Sequence, residues 1–190
     1  MAYLNEIQLR ELGFKNLGIN VKISDKTSIY NAELIELGDN TRIDDFCVIS
    51  GKVVIGKYCH ITPMCLIAGG VPGIFFSDFC TLAYGVKIFA QSDDYSGLTL
   101  TNSLIPKKFK DEIFKSVSIG RHVIVGADSV ILPGVDIAEG CSIGAMSLIN
   151  KSTESWGIYV GSPARRLKDR KQDMLELEKK FLKEIANDSF

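Results

Sequence analysis

The chain has 190 residues, of which 46% are hydrophobic and 24% are charged, as expected for a globular protein and not for a disordered one. Its 22 Lys and Arg residues balance 23 Asp and Glu residues, so the net charge of -1 gives no general attraction to nucleic acid or anionic membranes. The longest uncharged apolar run, residues 65–76, is too short to span a bilayer. The N-terminus is too charged for a secretory signal. We therefore expect a cytoplasmic protein without an integral membrane segment or a nucleic-acid partner.

The first predicted element is a short helix over residues 4–14. Asn5 can cap its start, and Gly13 is typical of a helix C-terminus. Leu9 and Leu12 mark its apolar face. We expect residues 1–17 to form a helical cap on the domain that follows, which should span residues 18–164.

An aliphatic or aromatic residue returns every six positions through most of that domain. The clearest copies are Leu37, Ile43, Ile49, Ile55, Ile61, Ile67, Phe76, Leu82, Ile88, Ile119, Val125, Ile131, Ile137, Ile143 and Ile149. An even period fits the alternation of side chains in a strand and not the 3.6-residue period of a helix. Short strands with a corner every six residues would stack as coils about 4.8 Å apart. The pattern predicts an all-β solenoid of about five coils.

All five cysteines occupy one position of the repeat, the fourth after the aliphatic residue. They are Cys47, Cys59, Cys65, Cys80 and Cys141. A small inward-facing position suits cysteine as a compact apolar residue. We therefore predict a structural role for these thiols and neither disulfides nor a nucleophile.

The repeat stops over residues 89–116, which we predict to be an excursion loop from one corner of the solenoid. A loop of this length in a compact domain is usually functional. Its second half, IPKKFKDEIFK, carries four lysines. They could attract an anionic acceptor, although a solvated cluster is the more ordinary interpretation.

The last predicted element is an amphipathic helix within residues 165–190. Met174, Leu177, Phe181 and Ile185 form one apolar stripe over residues 165–186, and charged residues occupy the other face. We expect this helix to cover the open end of the solenoid.

The pattern [LIV]-small-x-x-small-x over residues 18–166 resembles that of the hexapeptide-repeat acyltransferases. The resemblance implies a left-handed parallel β-helix and a homotrimer with active sites between subunits. The C-terminal segment ending in GSPARR is similar to that of the maltose/galactoside acetyltransferases, which implies acetyl-CoA as the co-substrate. The expected coenzyme contacts are Gly126, Ala127, Gly144, Ala145, Lys151, Gly161, Pro163, Ala164, Arg165 and Arg166. Lys151 and the two arginines would meet the phosphates.

The acceptor side departs from that group, in which a loop histidine acts as general base. The corresponding position here is Asp93, followed by Asp94 and Tyr95. A carboxylate needs a raised pKa to act near neutral pH, and two adjacent aspartates could raise each other's. His60 is the other candidate base, because alternation points it outward. Both hypotheses stay open, with Tyr95 and Gln91 as expected substrate contacts.

We expect no metal, since the only histidines, His60 and His122, are far apart in sequence. The γ-class carbonic anhydrases, which share the hexapeptide fold, need three histidine ligands for zinc. His122 is expected to be structural or to contact the coenzyme.

The expected function is acetyl-CoA-dependent O-acetylation of a sugar hydroxyl. The loop sequence SDDYSGLTLTN resembles that of enzymes that acetylate polysaccharide or lipopolysaccharide precursors. The main alternative is N-acetylation of a nucleotide-linked amino sugar, because an amine is partly neutral and the usual base is missing. Acetylation of an antibiotic hydroxyl and a non-catalytic solenoid are weaker alternatives.

Overall fold

The computed structural model describes residues 2–188. Residue 1 of the predicted cap and residues 189 and 190 of the predicted C-terminal segment lie outside the described residues. Helix α1 spans Glu6–Glu11 and helix α2 spans Met174–Asp188. The strands are β1 (Asn16–Leu17), β2 (Lys22–Ile23), β3 (Ser28–Tyr30), β4 (Ile35–Leu37), β5 (Arg42–Ile43), β6 (Val48–Ile55), β7 (His60–Ile61), β8 (Leu66–Phe76), β9 (Thr81–Leu82), β10 (Lys87–Phe89), β11 (Gln91–Ser92), β12 (Ile113–Phe114), β13 (Val117–Ile119), β14 (Ile124–Val125), β15 (Val130–Ile131), β16 (Asp136–Ile137), β17 (Ser142–Ile143), β18 (Leu148–Ile149), β19 (Gly157–Gly161) and β20 (Ala164–Asp169).

The strands form three faces of a parallel β-helix. Face 1 contains β1, β4, the second half of β6, the end of β8, β13 and β16. Face 2 contains β2, β5, β7, β9, β14, β17 and β19. Face 3 contains β3, the starts of β6 and β8, β10, β15 and β18. The predicted all-β solenoid with an N-terminal and a C-terminal helix is therefore confirmed.

The aliphatic residues of the repeat point inward and stack in columns, one for each face. Ile23, Ile43, Ile61 and Leu82 are successive members of the face 2 column, and each is fully buried. Face 2 has seven parallel strands, so the solenoid has about seven turns and the prediction of about five was too low. The extra turns come from the ends, where polar residues and Tyr159 interrupt the repeat.

Three corners join the faces, and the cavities and helix α2 described below are located by these corners. Corner A follows face 1 and carries Tyr58, Phe79 and His122 in successive turns, all with positive φ. Corner B follows face 2 and includes Met64 and Met146. Corner C follows face 3 and gives rise to the excursion loop. A left-handed backbone at so many non-glycine residues is held by hydrogen bonds between neighbouring turns, such as His122 N–H to Asp78 O at 3.2 Å.

The five cysteines are all free and buried inside the solenoid, as their shared position predicts. Cys47 neighbours Cys65 and Cys59 neighbours Cys80 on successive turns. Contact with the Cys65 thiol and burial raise the pKa of Cys47, and contact with Cys59 and burial raise the pKa of Cys80. The interior thus disfavours thiolate formation at these two residues.

The native protein should resist thiol reagents, because all five thiols are buried where the reagent cannot reach them. We expect labelling of all five cysteines in denaturant and of none within the same time under native conditions, measured by intact mass. Rapid native labelling of several thiols would contradict this placement.

Helix α1 is shorter than predicted but has the predicted cap. The Asn5 side chain accepts from the N–H of Gln8, and the Gln8 side chain accepts from the N–H of Asn5, forming a capping box. Leu9 is buried against the first turn of the solenoid, whereas Leu12 is 36% exposed. Leu9 alone therefore anchors the helix to the core.

The prediction of a helix from residue 165 is wrong in its first part. Residues 164–169 form β20, which pairs antiparallel with β19 and covers the last turn. The Arg170 guanidinium then donates to the carbonyls of His122, Gly140 and Cys141 at 2.7–3.1 Å. These bonds turn the chain away from the end of the solenoid before α2 begins.

Helix α2 lies along corner A and does not cover the open end of the solenoid. The Phe181 ring contacts the rings of Tyr58 and Phe79, with centroids 5.3 and 6.3 Å apart. The Glu178 carboxylate pairs with Arg121 and lies 2.8 Å from His122 Nε2. No helix among residues 2–188 is long and apolar enough to cross a membrane.

Glu178 should stabilise the docked helix in a pH-dependent way. Burial opposes its ionisation, but hydrogen bonds from Arg121 and His122 outweigh burial and lower its pKa. Since the folded pKa is below the unfolded value of about 4.3, this stabilisation is present above that value and lost as pH falls through the folded pKa. Glu178→Gln should lower the free energy of unfolding by about 1–3 kcal/mol at pH 7.

Thermal unfolding of this variant and the native protein between pH 3 and 8 would measure the effect. The difference should shrink as pH falls through the lowered folded pKa of Glu178, because the native carboxyl then becomes neutral as well. Glu184→Gln, at an exposed position of the same helix, is the matched control. A pH-independent difference would contradict the assignment to the ionised carboxylate.

Candidate functional site

The excursion loop leaves and rejoins the solenoid through a short antiparallel stem at corner C. Gln91 pairs with Phe114 and Ser92 with Ile113. Below the stem, Lys115 N–H donates to Ala90 O at 3.0 Å, and Ala90 is fully buried. The stem therefore fixes the loop to the core at the place where the repeat stops.

A cavity of about 510 Å³ lies between the stem and face 3, and we call it the loop cavity. Its solenoid wall is apolar and its loop wall is polar. The lining residues are Ala68, Phe89, Gln91, Ser92, Asp93, Tyr95, Glu112, Val130, Leu132 and Pro133. An apolar cleft with a few convergent polar groups is typical of a ligand site.

The structure separates the two adjacent aspartates. Asp93 lines the loop cavity together with the predicted contacts Gln91 and Tyr95. Asp94 turns into the loop and accepts hydrogen bonds from the N–H and hydroxyl groups of Ser96 and Thr99 at 2.8–3.2 Å. Asp94 therefore organises the loop and does not line the cavity.

The prediction that the two aspartates raise each other's pKa is wrong for Asp94. The backbone N–H of Ser96, followed by its hydroxyl and by Thr99, lowers the pKa of Asp94. A carboxylate so stabilised in its ionised form is a weak base. Asp93 is the member of the pair whose position suits proton transfer.

His60 points outward as predicted, but from face 2, opposite the corner that carries the loop cavity. Its Nε2 lies 2.8 Å from Asp44 Oδ2, and Arg42 Nε lies 2.6 Å from Asp44 Oδ1. Burial favours the neutral form of Asp44, yet hydrogen bonds from Arg42 and His60 hold its pKa below the usual value. His60 and Asp93 therefore do not meet within one chain.

A second cavity, the tail cavity, lies at the end of the solenoid and has a volume of about 270 Å³. It brings Lys151 together with Ala164, Arg165 and Arg166, four of the predicted coenzyme contacts. Lys151 and Arg165 are exposed, and Arg165 donates only to the adjacent Ala164 carbonyl at 2.9 Å among the contacts of the described chain. Their charges can reach a bound phosphate.

Arg166 lines the tail cavity and also has partners within the chain. Its guanidinium lies 2.8 Å from Asp169 Oδ1 and 3.3 Å from the Tyr159 hydroxyl. These contacts, that with Asp169 foremost, raise the pKa of Arg166. Arg166 thus holds β20 against β19.

The two predicted glycine–alanine pairs lie at corner B and not in the tail cavity. A Cβ at Gly126 would lie 2.4 Å from Ala145 N, and one at Gly144 would lie 2.8 Å from Val160 Cγ1. These glycines are therefore required by the close stacking of turns. Ala127 and Ala145 stack beside them, with Met146 N–H donating to Ala127 O at 2.7 Å.

Gly161 and Pro163 form the tight turn between β19 and β20. Gly161 has a φ of 102°, which favours glycine, and its N–H donates to Ser147 Oγ at 3.1 Å. This turn directs Ala164 and Arg165 back across the end of the solenoid. Their contribution to the tail cavity depends on it.

The loop cavity and the tail cavity lie on neighbouring turns at corner C. Leu132, in the loop cavity, donates its N–H to Ile149 O, in the tail cavity, at 3.0 Å. Neighbouring turns are about 4.8 Å apart. An elongated ligand with an anionic end can therefore reach from Lys151 to Asp93.

Sequence reasoning missed the apolar wall of the loop cavity and one of its acids. Val130, Leu132 and Glu112 line the cavity but were not singled out. Val130 and Leu132 were recognisable as outward neighbours of Ile131. Nothing in the sequence alone paired Glu112 with Asp93, because the stem register was not predictable. Within the described part of the chain, no group of three or more His, Cys, Asp or Glu side chains could hold a metal ion.

Comparison with known proteins places this geometry in a family. The family model "Bacterial transferase hexapeptide (six repeats)" matches residues 35–69 and 116–151. A dTDP-4-amino-4,6-dideoxy-D-glucose acyltransferase of Escherichia coli is 41% identical over the full length of both chains.

The solved structure of AntD, an N-acyltransferase from Bacillus cereus in complex with dTDP and 3-hydroxybutyryl-CoA, is also similar. It has a TM-score of 0.95 and 43% identity, and the match covers 97% of this chain and 98% of AntD. A variant of AntD was solved in complex with dTDP-4-amino-4,6-dideoxyglucose and coenzyme A, with a TM-score of 0.95, 44% identity and 96% and 98% coverage.

These relatives act on an amino sugar, so they favour the amine alternative over the sugar hydroxyl that the sequence analysis expected first. The expectation of an acyltransferase of the hexapeptide type is confirmed. The chain belongs to the bacterial hexapeptide-repeat acyltransferase family.

Proposed function

We propose that this chain transfers an acyl group from acyl-coenzyme A to the amino group of a nucleotide-linked amino sugar. The single observation that carries the proposal is that the tail cavity and the loop cavity lie on neighbouring turns at corner C. The coenzyme phosphates would meet Lys151 and Arg165, and the thioester would reach the apolar wall formed by Val130 and Leu132. The ligands of the relatives described above support this arrangement.

Asp93 serves as the base in this reaction. The acceptor enters as an ammonium ion and gives one proton to the Asp93 carboxylate, which passes it to solvent. The neutral amine attacks the thioester carbonyl, a C–N bond forms, and the C–S bond breaks. A second amine proton neutralises the departing thiolate, so the products are an amide, coenzyme A as thiol, and one released proton.

We further propose a homotrimer with active sites between subunits. Corner B carries a stripe of exposed apolar side chains. Phe46 (56% exposed), Met64 (62%) and Tyr84 (60%) lie in three adjacent turns, and Met146 (76%) lies two turns further on, beyond Asp128. A stripe of this kind is typical of an interaction surface. Sedimentation of the purified protein should give three times the chain mass.

The five free cysteines support a reducing compartment such as the cytoplasm.

Product chemistry tests the proposed function directly. The protein would be incubated with acetyl-CoA or 3-hydroxybutyryl-CoA and a panel of dTDP-amino sugars, neutral nucleotide sugars and free sugars. We expect thiol release only with an amino sugar nucleotide, and a product with the added acyl mass that survives hydroxylamine. A hydroxylamine-labile ester from a neutral sugar would instead support the O-acetyltransferase.

A further inference from the structure

We propose that Glu112 acts with Asp93 to recognise the ammonium form of the acceptor, and that this pair makes the site selective for an amine over a hydroxyl. The inference rests on the proposed function and adds a specificity-determining residue to it. Glu112 lines the loop cavity opposite the apolar wall.

The stem register brings the two acids together. Gln91 pairs with Phe114 and Ser92 pairs with Ile113 in an antiparallel ladder. Continuing this register by one residue places Asp93 opposite Glu112. Directly opposed residues in such a ladder have Cβ atoms about 4.5–5.5 Å apart. Both residues line the same cavity.

Two like charges in opposed positions destabilise a ladder unless a cation lies between or beside them. Lys110 supplies part of this compensation, since its Nζ lies 3.0 Å from Glu112 Oε1 and its side chain is only 6% exposed. One lysine balances one of the two carboxylates. An acceptor ammonium would balance the second, and its N–H groups suit two carboxylate acceptors.

The charged residues at corner C are complementary to the charges of the proposed acceptor and donor. Acids cluster in the loop cavity, where the amine must lie, and Lys151 and Arg165 lie in the tail cavity, where phosphates would bind. A neutral hydroxyl would leave one carboxylate without a partner, which costs free energy in a partly buried site. The site should therefore select the amine, because an ammonium ion neutralises the second carboxylate and a hydroxyl does not.

The test compares Glu112→Gln with the native protein in steady-state kinetics. We expect KM for the amino sugar nucleotide to rise about tenfold or more, the size of a lost charged hydrogen bond, with KM for acyl-CoA unchanged. The Ki of the matching hydroxyl sugar nucleotide should change less than threefold. The rise in KM should shrink as pH rises through the pKa of the acceptor amine, because ammonium is then no longer the bound form.

Two further variants separate recognition from loop structure. Asp111→Asn removes a neighbouring exposed charge and should leave both constants as in the native protein. Lys110→Met removes the ion-pair partner but keeps the carboxylate, so the acceptor KM should stay the same or fall. Equal losses in Lys110→Met and Glu112→Gln, with a pH-independent effect, would overturn the proposal. Failure of the native protein to acylate any amino sugar nucleotide would instead overturn the proposed function.

Discussion

Asp93→Asn is expected to lower kcat for amide formation by about 10²–10⁴-fold, the usual contribution of a general base. Asparagine keeps the size and hydrogen-bonding reach of the side chain but cannot take a proton. Because Asp93 lines the loop cavity while Asp94 is engaged with Ser96 and Thr99, the loss should be specific to position 93. The KM for acyl-CoA should change little, since the substitution is remote from Lys151 and Arg165.

Stopped-time assays of thiol release, with product mass as the readout, would measure this effect. His60→Ala is the informative comparison, because His60 was the competing base and lies on face 2. We expect its kcat to stay within tenfold of the native value. An inactive His60→Ala with an active Asp93→Asn would move the base to His60, acting on a substrate held by a neighbouring subunit.

Lys151→Glu combined with Arg165→Glu should raise KM for acyl-CoA by 100-fold or more. Each charged hydrogen bond to phosphate contributes about 1.5–3 kcal/mol, and reversal adds repulsion to the loss. Both side chains are exposed at the tail cavity, so the fold should tolerate the change. The kcat at saturating acyl-CoA should stay near the native value, because neither residue reaches the reacting atoms.

The effect is best measured as KM for acyl-CoA at two salt concentrations, because screening should weaken native binding and leave the variant less affected. Lys180→Glu, on the exposed part of α2, is the control for charge reversal itself. Arg166→Glu should instead lower the melting temperature, since Arg166 is engaged with Asp169 and Tyr159. An unchanged KM for acyl-CoA in the double variant would show that the coenzyme does not bind in the tail cavity.

Much of the fold was predictable because each aliphatic residue of the repeat marks a position that is buried in the solenoid. Ile43, Ile61 and Leu82 recur at the same inward position, and nothing else in the sequence competes with that period. The end of the chain was harder. The apolar stripe of the predicted helix begins only at Met174, and residues 164–169 instead pair as β20 with the edge of β19.

The site was only partly predictable for a related reason. Lys151 and Arg165 meet in the tail cavity, because the last turns keep the repeat up to the tail. Asp93 and Asp94 are equivalent by sequence, and only the loop hydrogen bonds distinguish them. The relation of Glu112 to Asp93 depends on strand pairing across a long excursion, which no local pattern records.

The stem of the excursion loop has a consequence for how such enzymes diversify. The pairs formed by Gln91–Ser92 and Ile113–Phe114 join the loop to the core, and the Lys115 to Ala90 bond closes its base. We expect that the segment between those anchors can be exchanged without disturbing the stacked turns that form the tail cavity. A loop transplanted from a relative, with different polar groups, should therefore change the acceptor that the enzyme accepts. The KM for acyl-CoA should stay unchanged.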